Sequence, residues 1–249
     1  MITKDVPHID LLGVPIAFLS VEESLGEVEK CFEHEPPTMM TYANAHVLNL
    51  ASRDPEYRTL LCERYLVFKD GVGVGIAAKL LGRGFPKNVS FTDFNPLLLG
   101  LAAKKGWRVF FLGGHPGVAA EAAEKLIKQI PGLQIVGTCD GYTEAAKAVA
   151  AIRDARTDLL VVAMGNPLQE KWLAKYMTET GVRVGLAVGG YLNFASGRRK
   201  RAPLWMQKMH IEWFHRLLQE PGRMWRRYVL GIPVFLARVM WAKLRGKHV

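Results

Sequence analysis

Short apolar runs alternate with segments of helical periodicity along most of this chain. The runs with strand character are Met39–Ala43, Leu66–Lys69, Arg108–Leu112, Leu133–Thr138, Asp158–Ala163 and Arg183–Val188. Between them, Val118–Ile130 and Leu168–Thr178 place apolar residues at three- and four-residue steps, which is typical of amphipathic helices. This alternation predicts an α/β fold, a mostly parallel Rossmann-like sheet with helices on both faces.

From about Ala202 the pattern changes to helices alone, with breaks expected at Pro221 and Pro233. The charge changes in the same region. Residues after 197 include thirteen Lys and Arg residues but only two acidic ones, in a chain of 249 residues with a formal net charge of +10. We therefore predict an α/β body of residues 1–197 followed by a basic helical appendage of residues 198–249.

The appendage is also rich in aromatic residues. They are Trp205, Trp213, Phe214, Trp225, Tyr228, Phe235 and Trp241. Cations beside indole rings suit the headgroup zone of a bilayer, and no apolar run reaches the ~18–20 residues that span one. We expect peripheral attachment to an anionic membrane surface and no nucleic acid partner, although a basic, solvated helical face has the same composition.

In a parallel sheet, ligands bind beyond the carboxyl ends of the strands. Asp70 and Gly71 follow one predicted strand, and Gly113 and Gly114 follow another. Asp70 can point into a crevice or cap the next helix, and spacing alone favours the cap. Glycines at such turns let a ligand approach backbone N–H groups.

Two later turns have the same layout. Gly165 and Asn166 follow a strand, with Gln169 one turn into the next helix. Gly189 and Gly190 follow the last strand, before the cationic run 198–201, which can hold a diphosphate or remain a solvated loop.

Several classes of chemistry are poorly matched. No GK[ST] ending follows the glycine loops, no G-x-S-x-G elbow occurs, and no Asp-x-Asp pair is present for a metal-bound sugar nucleotide. The three cysteines are far apart, without a CxxC pair. A complete G-x-G-x-x-G is missing, which argues against an NAD-linked oxidoreductase. We expect no metal and no cofactor.

Together, the loops resemble the bacterial WecG/TagA/CpsF glycosyltransferases from about Met40 to Leu236. The stretches that carry the resemblance are 41–46, 70–73, 89–93, 111–114, 135–137 with 141–142, 165–172, 188–190, 200–203, 211–213 and 216–217 with 220–221. Each stretch alone is weakly specific, whereas their order and spacing are highly specific.

The resemblance implies transfer of a sugar from a UDP-sugar to a polyprenyl-diphosphate-linked saccharide, in cell-surface polysaccharide synthesis. It implies inversion at the anomeric carbon without a metal, with Asp70 as the base. Tyr42 and Asn44 match a polar pair of the family, and Gln169 matches its glutamine. The appendage is implied to dock on the cytoplasmic face of the bacterial inner membrane and to cover the active site.

The sequence departs from the family pattern in places. The usual Arg-Val-x-Gly-x-Asp is Asn88-Val89-Ser90-Phe91-Thr92-Asp93, and the usual Gly-Gly-x-Phe-Asp is Gly189-Gly190-Tyr191-Leu192-Asn193. Tyr42 stands where a threonine is usual. The donor is therefore either of the N-acetylmannosamine type or a glucosyl donor.

We predict that Asp70 removes the acceptor proton while Asn44 and Gln169 orient sugar hydroxyls. Backbone amides at Gly113–Gly114 or Gly189–Gly190 are expected to stabilise the departing diphosphate. The other predicted substrate-binding residues are Tyr42, Gly71, Asp93, Gly165, Asn166, Arg201, Arg216, Arg223 and Arg226. The alternative is a non-catalytic nucleotide-binding module that recruits an assembly complex, and either protein can form a homo-oligomer.

Overall fold

A computed structural model of the chain describes residues 6–33, 35–85, 90–209 and 211–245, without the side chains of Lys208 and Arg223. The strands are β1 (His8–Leu11), β2 (Val14–Ala17), β3 (Thr38–Ala43), β4 (Tyr65–Lys69), β5 (Arg108–Gly113), β6 (Gln134–Cys139), β7 (Leu159–Ala163) and β8 (Val184–Ala187). The helices of the body are α1 (Val21–Cys31), α2 (Ala45–Ala51), α3 (Pro55–Arg64), α4 (Gly71–Leu80), α5 (Phe91–Lys105), α6 (Val118–Gln129), α7 (Ala145–Asp154), α8 (Leu168–Thr180) and α9 (Tyr191–Ala195). Those of the appendage are α10 (Leu204–Lys208), α11 (Glu212–Gln219), α12 (Pro221–Met224), a π-helix (Trp225–Leu230) and α13 (Gly231–Leu244).

Six of the strands form one parallel sheet, in the order β4-β3-β8-β7-β5-β6. All six predicted strands are confirmed to within one residue at each end. The α/β class with helices on both faces is also confirmed. Sequence analysis missed the antiparallel hairpin of β1 and β2, because two strands of four residues each give too short an alternation to recognise.

Side chains of alternate residues in the strands enter two core layers. In β7, Leu160 and Val162 pack in one layer with helices α2, α3, α7, α8 and α13, whereas Leu159 and Val161 pack in the other with α1, α5 and α6. Burial on both faces explains the continuous apolar run of this strand.

The appendage packs on the body through its last helix. Phe235 and Val239 of α13 are fully buried in the layer that contains α2 and α4. The Asn49 amide of α2 donates to the Gly231 carbonyl (2.7 Å) and accepts a bond from the Arg238 guanidinium (2.7 Å). The division at residue 197 stays a prediction, but this helix is part of the core of the body.

One predicted helix break is wrong. Pro221 begins α12 after an irregular Glu220, as expected, but Pro233 lies within α13. Pro233 has no N–H to donate to the preceding turn of helix. That preceding turn belongs to the π-helix, whose wider backbone accommodates the proline. Across the described ranges, no helix combines the length and the apolar character that crossing a bilayer requires.

Candidate active site

A cavity of about 290 Å³ lies at the carboxyl ends of β3, β4 and β8, and two parts of the chain enclose it. The cavity floor comes from the body and includes Tyr42, Asn44, Asp70, Gly71, Phe91, Asp93, Gly190 and Tyr191. The cavity roof comes from the appendage and includes Trp213, Arg216, Met224, Arg227 and Tyr228. The appendage thus covers the strand ends where a ligand is expected.

Asp70 lies directly after β4, and its carboxylate faces this cavity. It occupies the N-cap position of α4 but makes no capping bond with its side chain. Instead, Asp70 Oδ1 accepts from the Phe91 N–H (3.1 Å), and Oδ2 accepts from Asn44 Nδ2 (3.3 Å). Because Phe91 is the first residue of α5, the helix N-terminus favours the negative charge. The capping alternative for Asp70 therefore does not hold.

Asn44 is oriented by a separate set of bonds. Its Oδ1 accepts from the N–H groups of His46 (3.0 Å) and Val47 (3.2 Å), and so it caps α2. With the oxygen fixed there, its Nδ2 points toward Asp70. The structure brings together these two of the three predicted catalytic residues.

Tyr42 lies at the inner end of the cavity, almost entirely buried. Burial and the nearby charge of Asp70 raise its pKa, so the phenol stays protonated. Gly189 has φ +57°, and a Cβ there would collide with the Tyr42 hydroxyl. This close approach requires glycine at position 189.

Three arginines of the appendage line the cavity, namely Arg199, Arg216 and Arg227. Arg199 forms an ion pair with Glu220. The Arg216 guanidinium lies 4.9 Å from the Phe194 ring and donates to Thr92 Oγ1 (3.4 Å). Burial lowers the pKa of Arg216, but Tyr228 and the acidic side chains near it outweigh that effect and raise the pKa overall. Arg227 of the π-helix also lines the cavity.

The structure does not bring the other predicted arginines that it describes to the cavity. Arg226 is exposed and does not line the cavity, because its neighbour Arg227 takes the inward position of the π-helix. The side chain of Arg223 lies outside the described part of the structure. Arg201 also does not line the cavity, since it is held by Asp93 (2.6 Å) and Glu212 (3.3 Å). The structure therefore does not bring Arg201 to the cavity, and its expected diphosphate contact stays a prediction.

Gly113 and Gly114 do not line the cavity either. The Gly114 N–H donates to the Ala163 carbonyl (3.0 Å), and a Cβ at Gly113 would collide with the Ala163 backbone. Gly113 thus allows β5 and β7 to approach closely at their ends, whereas a Cβ at Gly114 would collide with Val118. The expected role of these two amides in binding a diphosphate is not supported.

Gln169 is fully buried and lies outside the cavity lining. Its Oε1 accepts from the N–H groups of Gly189 (2.9 Å) and Gly165 (3.3 Å), and its Nε2 donates to Glu170 Oε1 (2.8 Å). All its polar atoms are thus engaged within the protein, so the structure does not place Gln169 where it would contact a sugar, and its expected role stays a prediction. Gln169 instead fixes the two glycine turns that follow β7 and β8.

Glu170 is the centre of a buried polar cluster that sequence analysis missed. Besides Gln169, its Oε1 accepts from Asn166 Nδ2 (2.6 Å) and Thr41 Oγ1 (2.8 Å), while its backbone carbonyl accepts from the Tyr65 hydroxyl (2.7 Å). Burial raises the pKa of Glu170. Asn166 and Gly165 thus belong to this support and do not line the cavity.

Within the residues that the structure describes, no three His, Cys, Asp or Glu side chains gather as metal ligands would, and metal independence stays a prediction. A protein-family sequence model described as "Glycosyl transferase WecG/TagA/CpsF family" matches residues 9–249 of this chain. A protein of Bacillus spizizenii is 35% identical over 199 residues, covering 80% of this chain and 77% of the relative. A Bacillus subtilis protein is 32% identical over 203 residues (81% and 78%), and a Staphylococcus aureus protein is 26% identical over 248 residues (98% and 96%). All three are named N-acetylglucosaminyldiphosphoundecaprenol N-acetyl-beta-D-mannosaminyltransferase.

Proposed function

The chain belongs to the WecG/TagA/CpsF family and is a glycosyltransferase of polysaccharide synthesis, and from this premise we propose its donor, acceptor and place of action. It transfers a sugar from a UDP-sugar to a polyprenyl-diphosphate-linked saccharide, as a peripheral protein on the cytoplasmic face of the inner membrane. The observation that carries the proposal is the Asp70 carboxylate, which faces a cavity roofed by cationic residues of the appendage.

In this proposal, Asp70 acts as the general base. An acceptor hydroxyl is a weak nucleophile until its proton leaves, and a carboxylate in hydrogen-bond reach contributes a factor of ~10²–10⁴ by accepting that proton. The bonds from Phe91 and Asn44 hold the carboxylate in one orientation. Attack on the face opposite the leaving diphosphate inverts the anomeric centre.

The leaving diphosphate develops negative charge, and the cavity roof supplies the opposite charge. Arg216 and Arg227 line the cavity on the side of the appendage, and guanidinium groups bind phosphate oxygens in pairs. This arrangement supports leaving-group stabilisation by the protein's own cations.

The surface of the appendage supports docking on an anionic membrane. It exposes large apolar side chains, among them Trp205, Trp225, Leu230, Trp241 and Leu244. These lie in the same segment as thirteen Lys and Arg residues. Exposed indoles insert at the headgroup level, and each basic residue near an anionic surface adds ~1 kcal/mol.

The reaction is tested by incubating the protein with UDP-N-acetylmannosamine, UDP-glucose and other UDP-sugars, together with short-chain prenyl-diphosphate saccharides. Mass spectrometry of the products is expected to show one added sugar for one donor and acceptor pair. Binding without any product across the panel would instead favour the non-catalytic module.

Membrane docking is tested separately by sedimentation with vesicles of anionic or neutral lipid. Because α13 is part of the core, substitution is a cleaner perturbation than truncation. Replacing Trp225 and Trp241 by serine is expected to lower the affinity for anionic vesicles several-fold, and ~0.5 M salt is expected to weaken binding further. Tyr142→Ser is the matched control, since Tyr142 is an exposed aromatic residue of the body. Equal binding by all variants would contradict docking through the appendage.

A further inference from the structure

Two side chains of the cavity floor contain polar atoms for which the described part of the chain supplies no partner. Asn95 is on α5 and is 2% exposed, and Tyr191 begins α9 and is 6% exposed. Both line the cavity. Within the described ranges, no donor or acceptor bonds to Nδ2 or Oδ1 of Asn95, or to the hydroxyl of Tyr191.

Unpaired buried polar atoms are costly to the folded state. Each one costs about 1–3 kcal/mol, and native proteins contain few of them. Asn49 shows that this fold can satisfy a buried asparagine, because its amide both donates to Gly231 and accepts from Arg238. The position of Asn95 and Tyr191 at the cavity indicates that their partners are groups of a ligand.

The chemistry of the two side chains identifies the kind of group. The Asn95 carboxamide offers one acceptor and N–H donors side by side, which matches the N–H and C=O of an acetamido group. Tyr191, which lines the same cavity, adds a hydroxyl that can donate to a ligand carbonyl. The nearby rings of Tyr42 and Phe91, 4.9 Å apart, provide an apolar surface for the acetyl methyl group.

We propose that Asn95 and Tyr191 recognise the acetamido group of an N-acetylhexosamine in this cavity. The inference rests on the proposed sugar transfer and adds residues that determine specificity. The acetamido group can belong to the donor sugar or to the saccharide of the acceptor. Since water does not reach these polar atoms here, binding includes a small rotation of the two side chains toward the ligand.

The test measures dissociation constants by calorimetry for ligand pairs that differ only in acetamido against hydroxyl. The donor pairs are UDP-N-acetylglucosamine with UDP-glucose and UDP-N-acetylmannosamine with UDP-mannose. The acceptor pair is a short-chain prenyl diphosphate bearing N-acetylglucosamine or glucose. We expect the wild-type protein to prefer the acetylated member of at least one pair. Asn95→Leu is expected to reduce that preference by about 5- to 100-fold.

Two further variants control for folding. Asn95→Leu removes unpaired polar atoms, so its melting temperature is expected to stay unchanged or to rise. Asn49→Leu breaks satisfied bonds and is expected to lower the melting temperature while keeping the preference. Tyr191→Phe removes a single oxygen atom, and it gives the same readout if Asn95→Leu does not fold.

The pair that loses its preference identifies whether donor or acceptor carries the recognised group. A wild-type protein with no preference in any pair would overturn the inference, and so would folded variants that keep the wild-type preference. Equal weakening of acetylated and non-acetylated ligands would overturn it as well. Because binding requires no turnover, failure of the transfer assay alone would refute the proposed function and not this recognition.

Discussion

Replacing Asp70 by asparagine separates a chemical role from a structural one. The asparagine keeps an oxygen that can accept from the Phe91 N–H. Its NH₂ group, however, replaces the oxygen that accepts from Asn44 Nδ2, so two donors face each other and this bond is lost. At most one weak hydrogen bond is lost, which costs about 0.5–1.5 kcal/mol. For a chain of this size, that corresponds to a fall in melting temperature of about 1–6 °C.

The expected effect on catalysis is much larger. Loss of a general base lowers the transfer rate by ~10²–10⁴, measured as initial rates of product formation at saturating donor and acceptor. Asp93→Asn is the matched control, because Asp93 lines the same cavity but its carboxylate is held by Arg201 (2.6 Å) and Ser90 (2.7 Å). We expect less than a tenfold loss of rate there. A folded Asp70→Asn protein with the wild-type rate, or equal losses in both variants, would refute the role of Asp70.

Three other substitutions test the surroundings of the cavity. Burial raises the pKa of Glu170 above its ordinary value of 4.5, so the protein loses stability as the pH rises through the pKa of the folded state. Urea unfolding should therefore show the wild type losing stability relative to Glu170→Gln as the pH rises above 4.5, and parallel pH profiles would argue against this. Gly189→Ala is expected to destabilise the fold by at least ~1 kcal/mol, because its Cβ would collide with the Tyr42 hydroxyl. Adding Tyr42→Phe to this variant should restore part of the lost stability. If calorimetry shows that the two substitutions have additive effects on stability, this contact is excluded. Arg227→Gln is expected to lower the transfer rate by ~10- to 100-fold, because Arg227 lines the cavity. Arg226→Gln, at an exposed position, should change the rate less than twofold with water-soluble substrates. Similar rates for the two variants would contradict the assignment of Arg227 to the inward side of the π-helix.

Periodicity carried most of the information about the fold. The six sheet strands were predictable because apolar residues buried on both faces leave uninterrupted runs such as Leu159–Val162. The end of a predicted strand located Asp70 for the same reason, since every parallel strand delivers its following residues to one edge of the sheet. Asn44 was expected only from the resemblance to the family. The local sequence was therefore sufficient to predict the strands and the residues that directly follow them.

The remaining features depend on tertiary contacts that no local pattern encodes. Glutamate is typical of the exposed face of a helix, yet Glu170 is fully buried and accepts hydrogen bonds from distant segments, including one from Thr41. Arg226 and Arg227 are adjacent in sequence, and only the packing of the π-helix decides which one points inward. Asn95 lies in a segment without any motif, and its significance is visible only from its missing partners.

The cavity is assembled from two stretches of chain that contribute different things. The strand ends fix the Asp70 carboxylate, and the overlying helices determine how much room remains above it. Substitutions in those helices can therefore change the shape of the cavity without disturbing this carboxylate. In the proposed transferase, diversification of the glycan products would then proceed mainly through the helices above the cavity, because such changes leave the parallel sheet intact.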